Sequence, residues 1–348
     1  MKVLVLKRDK IGDMLLTTPL LAQLKAGAPG ARVHVLASDY NAWVLEGNPD
    51  VDRLWVYRRV RHAGRVSLSA AWAWLRQRAA LRRERFDWVI VANGDESPRA
   101  IRRGLSLRAK RLVARCASVS RYPGLTDPLP LDAASHEVER LLGMLAPLGI
   151  AFAKDRIPEP RYVLPAASAS FAQAWLARQG LAPGGYVVLG LGARRAKKQP
   201  ATAQVLAWSA HFKRAFGLET VFMWTPGRAG DSLYPGDDDV AQPVLEAVSA
   251  GRAPQIHPFR GPIREALGLV WQARASIFPD SGLMQFAAAS PGGVLGLFAE
   301  ADVSPAPAQW APRGPRADWL EAGKSVAELP EALVCERLAR LIGRENVV

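Results

Sequence analysis

Three loops gather the residues suited to handling a phosphorylated substrate. The first, Lys7-Arg8-Asp9-Lys10-Ile11-Gly12-Asp13, follows a short apolar stretch, Lys2 to Leu6. A carboxylate held where a strand gives way to a helix can take the proton of an attacking hydroxyl. Gly12 permits a tight turn and close backbone approach. The same pair serves equally as a turn residue and a helix cap. The second loop runs from Gly190 to Pro200 and contains Gly192, Arg194, Arg195, Lys197 and Lys198. Glycine beside four cations, with Pro200 placed to open a helix, suits a diphosphate or simply a charged turn. No Gly-Lys-Ser/Thr follows, and no dinucleotide fingerprint is present. In the third loop Asp280-Ser281-Gly282 precedes the Ala-rich segment to Ala289. Free N–H groups at that helix start, with the Ser281 hydroxyl, would bind phosphate, and an ordinary Asp/Ser cap reads the same way.

The elements that must position these loops alternate. Strands are expected at 2–6, from Arg32, at 53–57 and at 86–92, the last ending at Asn93-Gly94. Helices are expected over 12–26, 67–85 and 135–148. A Pro-rich stretch from Ile157 to Pro165 reads as a linker. Alternation then restarts with helices at 166–180, 201–216, 239–249, 262–273 and 282–289, and strands at 186–190, 219–224, 275–278 and 293–298. The fold class is therefore α/β with parallel sheets. The division is residues 1–160, residues 166–325 and a final helix within 326–348. In such sheets ligands bind beyond the carboxyl ends of strands, where all three loops lie.

Composition narrows the classes further. The 348 residues are 49% hydrophobic and 22% charged, a globular balance with enough chain for two cores. Two cysteines, Cys116 and Cys335, stand far apart in no metal-ligand spacing, against a disulfide framework or a zinc site. Neither a secretory signal nor a run of about 18 apolar residues is visible, so a cytosolic protein is expected. The net charge of +14 favours polyanionic partners. Arginines recur from Arg53 to Arg111 among Trp55, Tyr57, Trp72, Trp74 and Trp88, and Arg58 and Arg61 are candidate anion contacts. Nucleic acid is not the expected partner, because no binding motif accompanies the charge.

In order and spacing the three loops resemble glycosyltransferase family 9, the bacterial heptosyltransferases. The opening "KVLVLKRDKIGDMLLTTPLLAQLKAGAPGARVHVLAS" is similar to that family's N-terminus, and "FDWVIVANG", "HEVERLLGMLAPLGI", "GLGARRAKKQP", "FPDSGLMQFAAA" and "LFAEADVSPAPAQWAP" to later blocks. The resemblance implies a GT-B architecture, two Rossmann-like domains facing a central cleft. It implies inverting, metal-independent transfer of a heptose from ADP-heptose to the lipopolysaccharide inner core, with no cofactor beyond the nucleotide-sugar donor. Asp13 would be the general base, and Lys197 would neutralise the departing diphosphate. The donor would meet Gly192, Lys198, Asp280, Ser281, Gly282 and Gln285. The phosphorylated glycolipid acceptor would meet Gly12, Asn93, Arg58 and Arg61. The basic stretch Ala70–Arg85 would rest on the anionic cytoplasmic face of the inner membrane. This chain departs from the family pattern at Gln285, where His is usual, at Gln199, where Trp is usual, and at Ala299, where Gly is usual. Asp231 is the candidate for the acid on the donor ribose. Asp237-Asp238-Asp239 reads as a solvated turn rather than a metal-binding Asp-x-Asp.

Overall fold

The computed structural model describes residues 1–58, 61–62, 65–66, 68–192, 196–228, 230, 236–300 and 306–343. The chain divides into two units, Met1–Val163 and Leu164–Val348. The boundary falls inside the Pro-rich stretch.

The first unit runs β1 (Lys2–Leu6), α1 (Ile11–Leu15), α2 (Thr18–Gly27), β2 (Arg32–Ser38), β3 (Arg53–Tyr57) and a short hairpin of β4 (Arg61–His62) and β5 (Arg65–Val66). Then come α3 (Leu68–Arg83), β6 (Trp88–Val91), α4 (Pro98–Leu105), β7 (Arg111–Arg115), β8 (Asp127–Leu129) and α5 (Glu137–Leu142). Its six-stranded sheet has the order β3-β2-β1-β6-β7-β8, parallel throughout. Val3 to Leu6 are all fully buried. That explains the unbroken apolar run: a central parallel strand is covered on both faces.

The second unit repeats the plan with α6 (Ala166–Gln179), β9 (Tyr186–Gly190), α7 (Thr202–Phe216), β10 (Glu219–Met223), α8 (Asp238–Ser249) and β11 (Ile256–Phe259). It continues through α9 (Ile263–Gln272), β12 (Ala275–Pro279), α10 (Gly282–Ala288), β13 (Val294–Ala299), α11 (Pro307–Trp310), β14 (Ala317–Ala322) and α12 (Glu331–Gly343). Its sheet order is β11-β10-β9-β12-β13-β14, again parallel. One face is packed around Trp208, Phe212 and Phe222, the other around Tyr186, Phe278 and Met284. Helix α12 buries Val334, Leu338 and Leu341 in the same cluster as Trp208. This final helix therefore packs into the core of the second unit.

Two expected helices are broken. The one over 12–26 splits between α1 and α2. There the Thr17 hydroxyl donates to the Asp13 carbonyl at 2.8 Å and the Thr18 hydroxyl to the Leu15 carbonyl at 2.7 Å. These hydroxyls compete for helix carbonyls, and Pro19 has no N–H to continue the ladder. The one over 135–148 ends as α-helix at Leu142 and tightens to a 3-10 turn that carries Pro147. Elements outside the sequence expectations include α4, β7, β8, β11 and β14. The outer strands β8, β11 and β14 are short or carry polar residues, so pairing rather than pattern defines them.

Candidate active site

Each sheet reverses its winding at one place, between β1 and β6 in the first unit and between β9 and β12 in the second. At such a switch point neighbouring crossovers leave in opposite directions and open a crevice beyond the strand ends. All three candidate loops sit there. Lys7 to Asp13 follows β1, and Asn93-Gly94 lies just beyond β6. Gly192 to Lys198 follows β9, and Asp280-Ser281 follows β12.

In the first unit the crevice is built around a buried cation. Lys7 is fully buried, its Nζ 3.3 Å from Asp9 and 3.7 Å from Glu137. Neither contact makes a well-formed hydrogen bond. Burial opposes the Lys7 charge, yet Asp9, Glu137 and Asp13 more than offset it, so its pKa stands above the ordinary value. Asp13 lies within α1, partly buried, and its Oδ2 accepts from the Lys10 backbone N–H at 3.0 Å. Burial pushes the Asp13 carboxyl above the usual range, with Lys7 pulling it back and Asp9 adding to the rise.

Helix α5 closes the cluster. The buried Glu137 carboxylate accepts from the Gly94 N–H at 3.3 Å and from Arg140 at 3.2 Å. Arg140, 1% exposed, also donates to the Gly94 carbonyl at 2.6 Å and pairs with Asp95. A Cβ on Gly94 would collide with the Glu137 carboxylate. Glycine is required here for close approach. Asn93 donates its amide to Asp9, leaving its buried Oδ1 without a hydrogen bond among the described residues. Lys7, Asp9, Glu137 and Arg140 were not singled out from the sequence. The available signals were a lysine continuing a buried strand and a Glu/Arg pair three apart in "HEVER".

In the second unit the two lysines part company. Lys198 is buried, and its Nζ lies 2.6 Å from the Asp280 carboxylate, itself largely buried. Lys197 is exposed and pairs with Glu300 at the end of β13. Glu300 holds φ at 52°, in the left-handed region that non-glycine residues rarely adopt. Ser281 caps α10, accepting from the Met284 N–H at 3.4 Å, and Gly192 lies beside it. Gln285 is buried; its amide donates to the Trp310 carbonyl at 2.9 Å while Oε1 lacks a hydrogen bond among the described residues. Gln199 donates to Asp237 at 2.7 Å.

Asp237 and Asp238 do not form a solvated turn. Asp237 is buried, which pushes its carboxyl above the usual range despite hydrogen bonds from Gln199 and Thr225. Asp238 accepts from Trp224 Nε1 at 2.8 Å, from the Gly227 N–H at 3.0 Å and from Arg260 Nε and Nη2 at 2.8 and 2.9 Å. The paired Arg260 guanidinium holds its carboxyl far below the usual range. Only Asp239 is exposed. The turn is a knot tying β10 to α8, and its sequence gave no hint of that. Asp231 lies outside the described residues.

Among the acceptor candidates, Gly12 is buried in α1 and Asn93 adjoins the Lys7 cluster, whereas Arg58 is exposed beyond β3. Arg61 belongs to the β4 backbone, and its side chain lies outside the described residues. Helix α3 divides its tryptophans. Trp72 is 69% exposed, while Trp74 packs edge-on to Tyr57 with the Arg103 guanidinium over it at 4.4 Å.

Two parallel sheets wound in the same order match known structures over nearly the whole chain. A family 9 glycosyl transferase from Veillonella parvula has a TM-score of 0.80 and 19% identity, covering 98% of this chain and 97% of that one. The fold is GT-B. E. coli ADP-heptose lps heptosyltransferase II has a TM-score of 0.74 at 18% identity, covering 98% of both chains. E. coli heptosyltransferase WaaC with ADP has a TM-score of 0.73 at 17% identity, covering 98% of this chain and 100% of that one. No family model matches the sequence. No curated protein matches it either. In this GT-B chain, then, the three candidate loops fall at the switch points of the two Rossmann-like units.

Proposed function

We propose that this chain is an inverting, metal-independent glycosyltransferase that moves a heptose from ADP-heptose to the lipopolysaccharide inner core. The observation that carries this reading is Asp13, a partly buried carboxylate at the first switch point, beside a buried ammonium. The shared fold supports it, since the similar structures include a heptosyltransferase with ADP and one with ADP-2-deoxy-2-fluoro heptose.

Asp13 takes the proton of the acceptor hydroxyl as its oxygen attacks the anomeric carbon. The bond from that carbon to the diphosphate breaks on the opposite face, and negative charge grows on the leaving group. Lys197 neutralises that charge, exchanging Glu300 for phosphate oxygen. Gly192 and Ser281-Gly282 give the backbone room to approach the diphosphate, and Lys198 with Asp280 braces the two loops against each other. Gln285 supplies its unpartnered Oε1 as an acceptor toward a donor hydroxyl, where a histidine would offer a charge. Gly12, Asn93, Arg58 and Arg61 are the residues assigned to the phosphorylated glycolipid. Exposed Trp72 and Leu75, with Arg76 on the same helix, suit a peripheral position on an anionic cytoplasmic membrane face. No helix among the described residues is long and apolar enough to cross a membrane.

A second reading is a catalytically reduced GT-B protein that binds glycolipid without transfer. Glu300 on Lys197 and the Gln285–Trp310 tie favour it. Incubation of the purified chain with ADP-heptose and heptose-deficient lipopolysaccharide separates the two. Heptosylated product by mass spectrometry, abolished in Asp13→Asn, upholds transfer. Acceptor binding with no product from any nucleotide sugar upholds the second reading.

A further inference from the structure

Away from both switch points, helices α7 and α12 of the second unit bring three metal-ligating side chains together. His211, Glu331 and Cys335 offer one ligand atom each, all within 4.8 Å of one another. Glu331 and Cys335 stand four apart on α12 and therefore on one face of it. His211 comes from α7, more than a hundred residues earlier, so the spacing rule that set the cysteines aside could not register it. The helices are locked by shared core residues, Val205, Trp208 and Phe212 from α7 with Val334, Leu338 and Leu341 from α12.

We propose that His211, Glu331 and Cys335 form a binding site for Zn²⁺. The donor set decides the class of ion: one imidazole, one thiolate and one carboxylate suit a borderline transition metal, while Mg²⁺ and Ca²⁺ take all-oxygen shells. Three protein ligands leave a fourth tetrahedral position for water, and the geometry provides for it. Cys335 is buried, His211 is partly buried and Glu331 is exposed, so the cluster opens outward. It lines a surface groove of roughly 520 Å³ together with Ala332, Glu336 and Ala339. Glu336 pairs with Arg340 one turn along, which leaves Glu331 as the carboxylate ligand. The His211 ring is oriented by edge contacts with Phe212 and Phe216 at centroid distances of 6.2 and 6.0 Å. On binding, Cys335 enters as thiolate and releases its proton to solvent. The ion would clip the last helix of the chain to the middle of the second unit, independently of the transfer reaction.

Cobalt reports directly on such a site. Co²⁺ added to the tag-free, metal-stripped full chain is expected to give a thiolate-to-cobalt charge-transfer band saturating at one equivalent. Zn²⁺ should abolish the band and raise the melting temperature of the chain. The band is expected to vanish in Cys335→Ser and His211→Ala, to weaken in Glu331→Gln and to persist in Cys116→Ser. Should Cys335→Ser fail to fold by circular dichroism, His211→Ala, on the partly exposed side of the cluster, carries the test alone. Absence of the band in the folded wild-type chain, or its survival in His211→Ala, overturns the proposal.

Discussion

The two switch points solve the same problem of charge in opposite ways. Beyond β1 and β6 a single ammonium, Lys7, is buried among Asp9, Asp13 and Glu137 and pairs fully with none, and Glu137 is shared with the buried Arg140. Beyond β9 and β12 each of the two lysines holds its own carboxylate, Lys198 with Asp280 in the interior and Lys197 with Glu300 at the surface. In the first, burial keeps the Asp13 carboxyl reluctant to ionise against the pull of Lys7, as a proton acceptor tuned upward must be. The second keeps positive charge neutralised until something more anionic displaces a partner. What differs is how easily a charge is given up. Lys197, the cation offered for chemistry, is the less buried of the two lysines, whereas Asp13 is a largely enclosed carboxylate beside the more exposed Asp9.

The largest effect that would sharpen this contrast is loss of the base. Asp13→Asn is expected to lower transfer by about 10²–10⁴-fold while the melting curve stays cooperative. Near-normal turnover would remove the first switch point from the chemistry. Next, Lys7→Met removes the cation that Asp9 and Asp13 face and leaves Glu137 to Arg140 alone. Breaking a buried pair in this way costs about 3–5 kcal/mol, read by urea unfolding. Lys198→Met should cost about 3 kcal/mol for the same reason, since both partners are largely buried. Lys197→Met, half in solvent, should move stability by less than about 1 kcal/mol and yet depress transfer. Equal losses from the two lysine variants would break the division of labour drawn between them.

The smallest expected effect is a pH dependence. Burial raises the Asp13 pKa in the folded chain above its ordinary 3.8, so the folded state binds that proton more tightly than the unfolded one. Its contribution to stability is fully present below pH 3.8 and is lost as pH rises through the folded pKa. Asp13→Asn should therefore be the more stable chain at pH 7 and lose that advantage in acid. Thermal melts across pH 3 to 8 measure it, and transfer should fail on the acid side at a higher pH than a free aspartate would dictate.

Much of this fold was legible in the sequence because its signals are short-range. Apolar runs such as Lys2–Leu6 and Tyr186–Gly190 announce buried strands, and Gly-Asp or Asp-Ser-Gly after them announces a strand-to-helix turn. The site was legible to the level of loops: Asp13, Asn93, Lys198 and Ser281 all fall where the alternation put them. The break at Thr17 was missed because an ordinary helical pattern hides a competing hydroxyl. Asp237 and Asp238 were misread because three acids in a row look solvated until Gln199, Trp224 and Arg260 are known to surround them.

By itself, then, the sequence determined the alternation of elements, the division near the Pro-rich stretch and the loops that carry the candidate chemistry. These follow from propensity, periodicity and turn preference, which act over a few residues. Tertiary structure alone decided which charges meet. Lys7 meets Glu137 only because β1 is central and α5 returns to it. Lys198 meets Asp280 because β9 and β12 are neighbours at a reversal of the sheet. His211 meets Cys335 because α7 and α12 share one core. Electrostatic partnership depends on distance in space and on burial, and both are set by strand order, which no local pattern encodes.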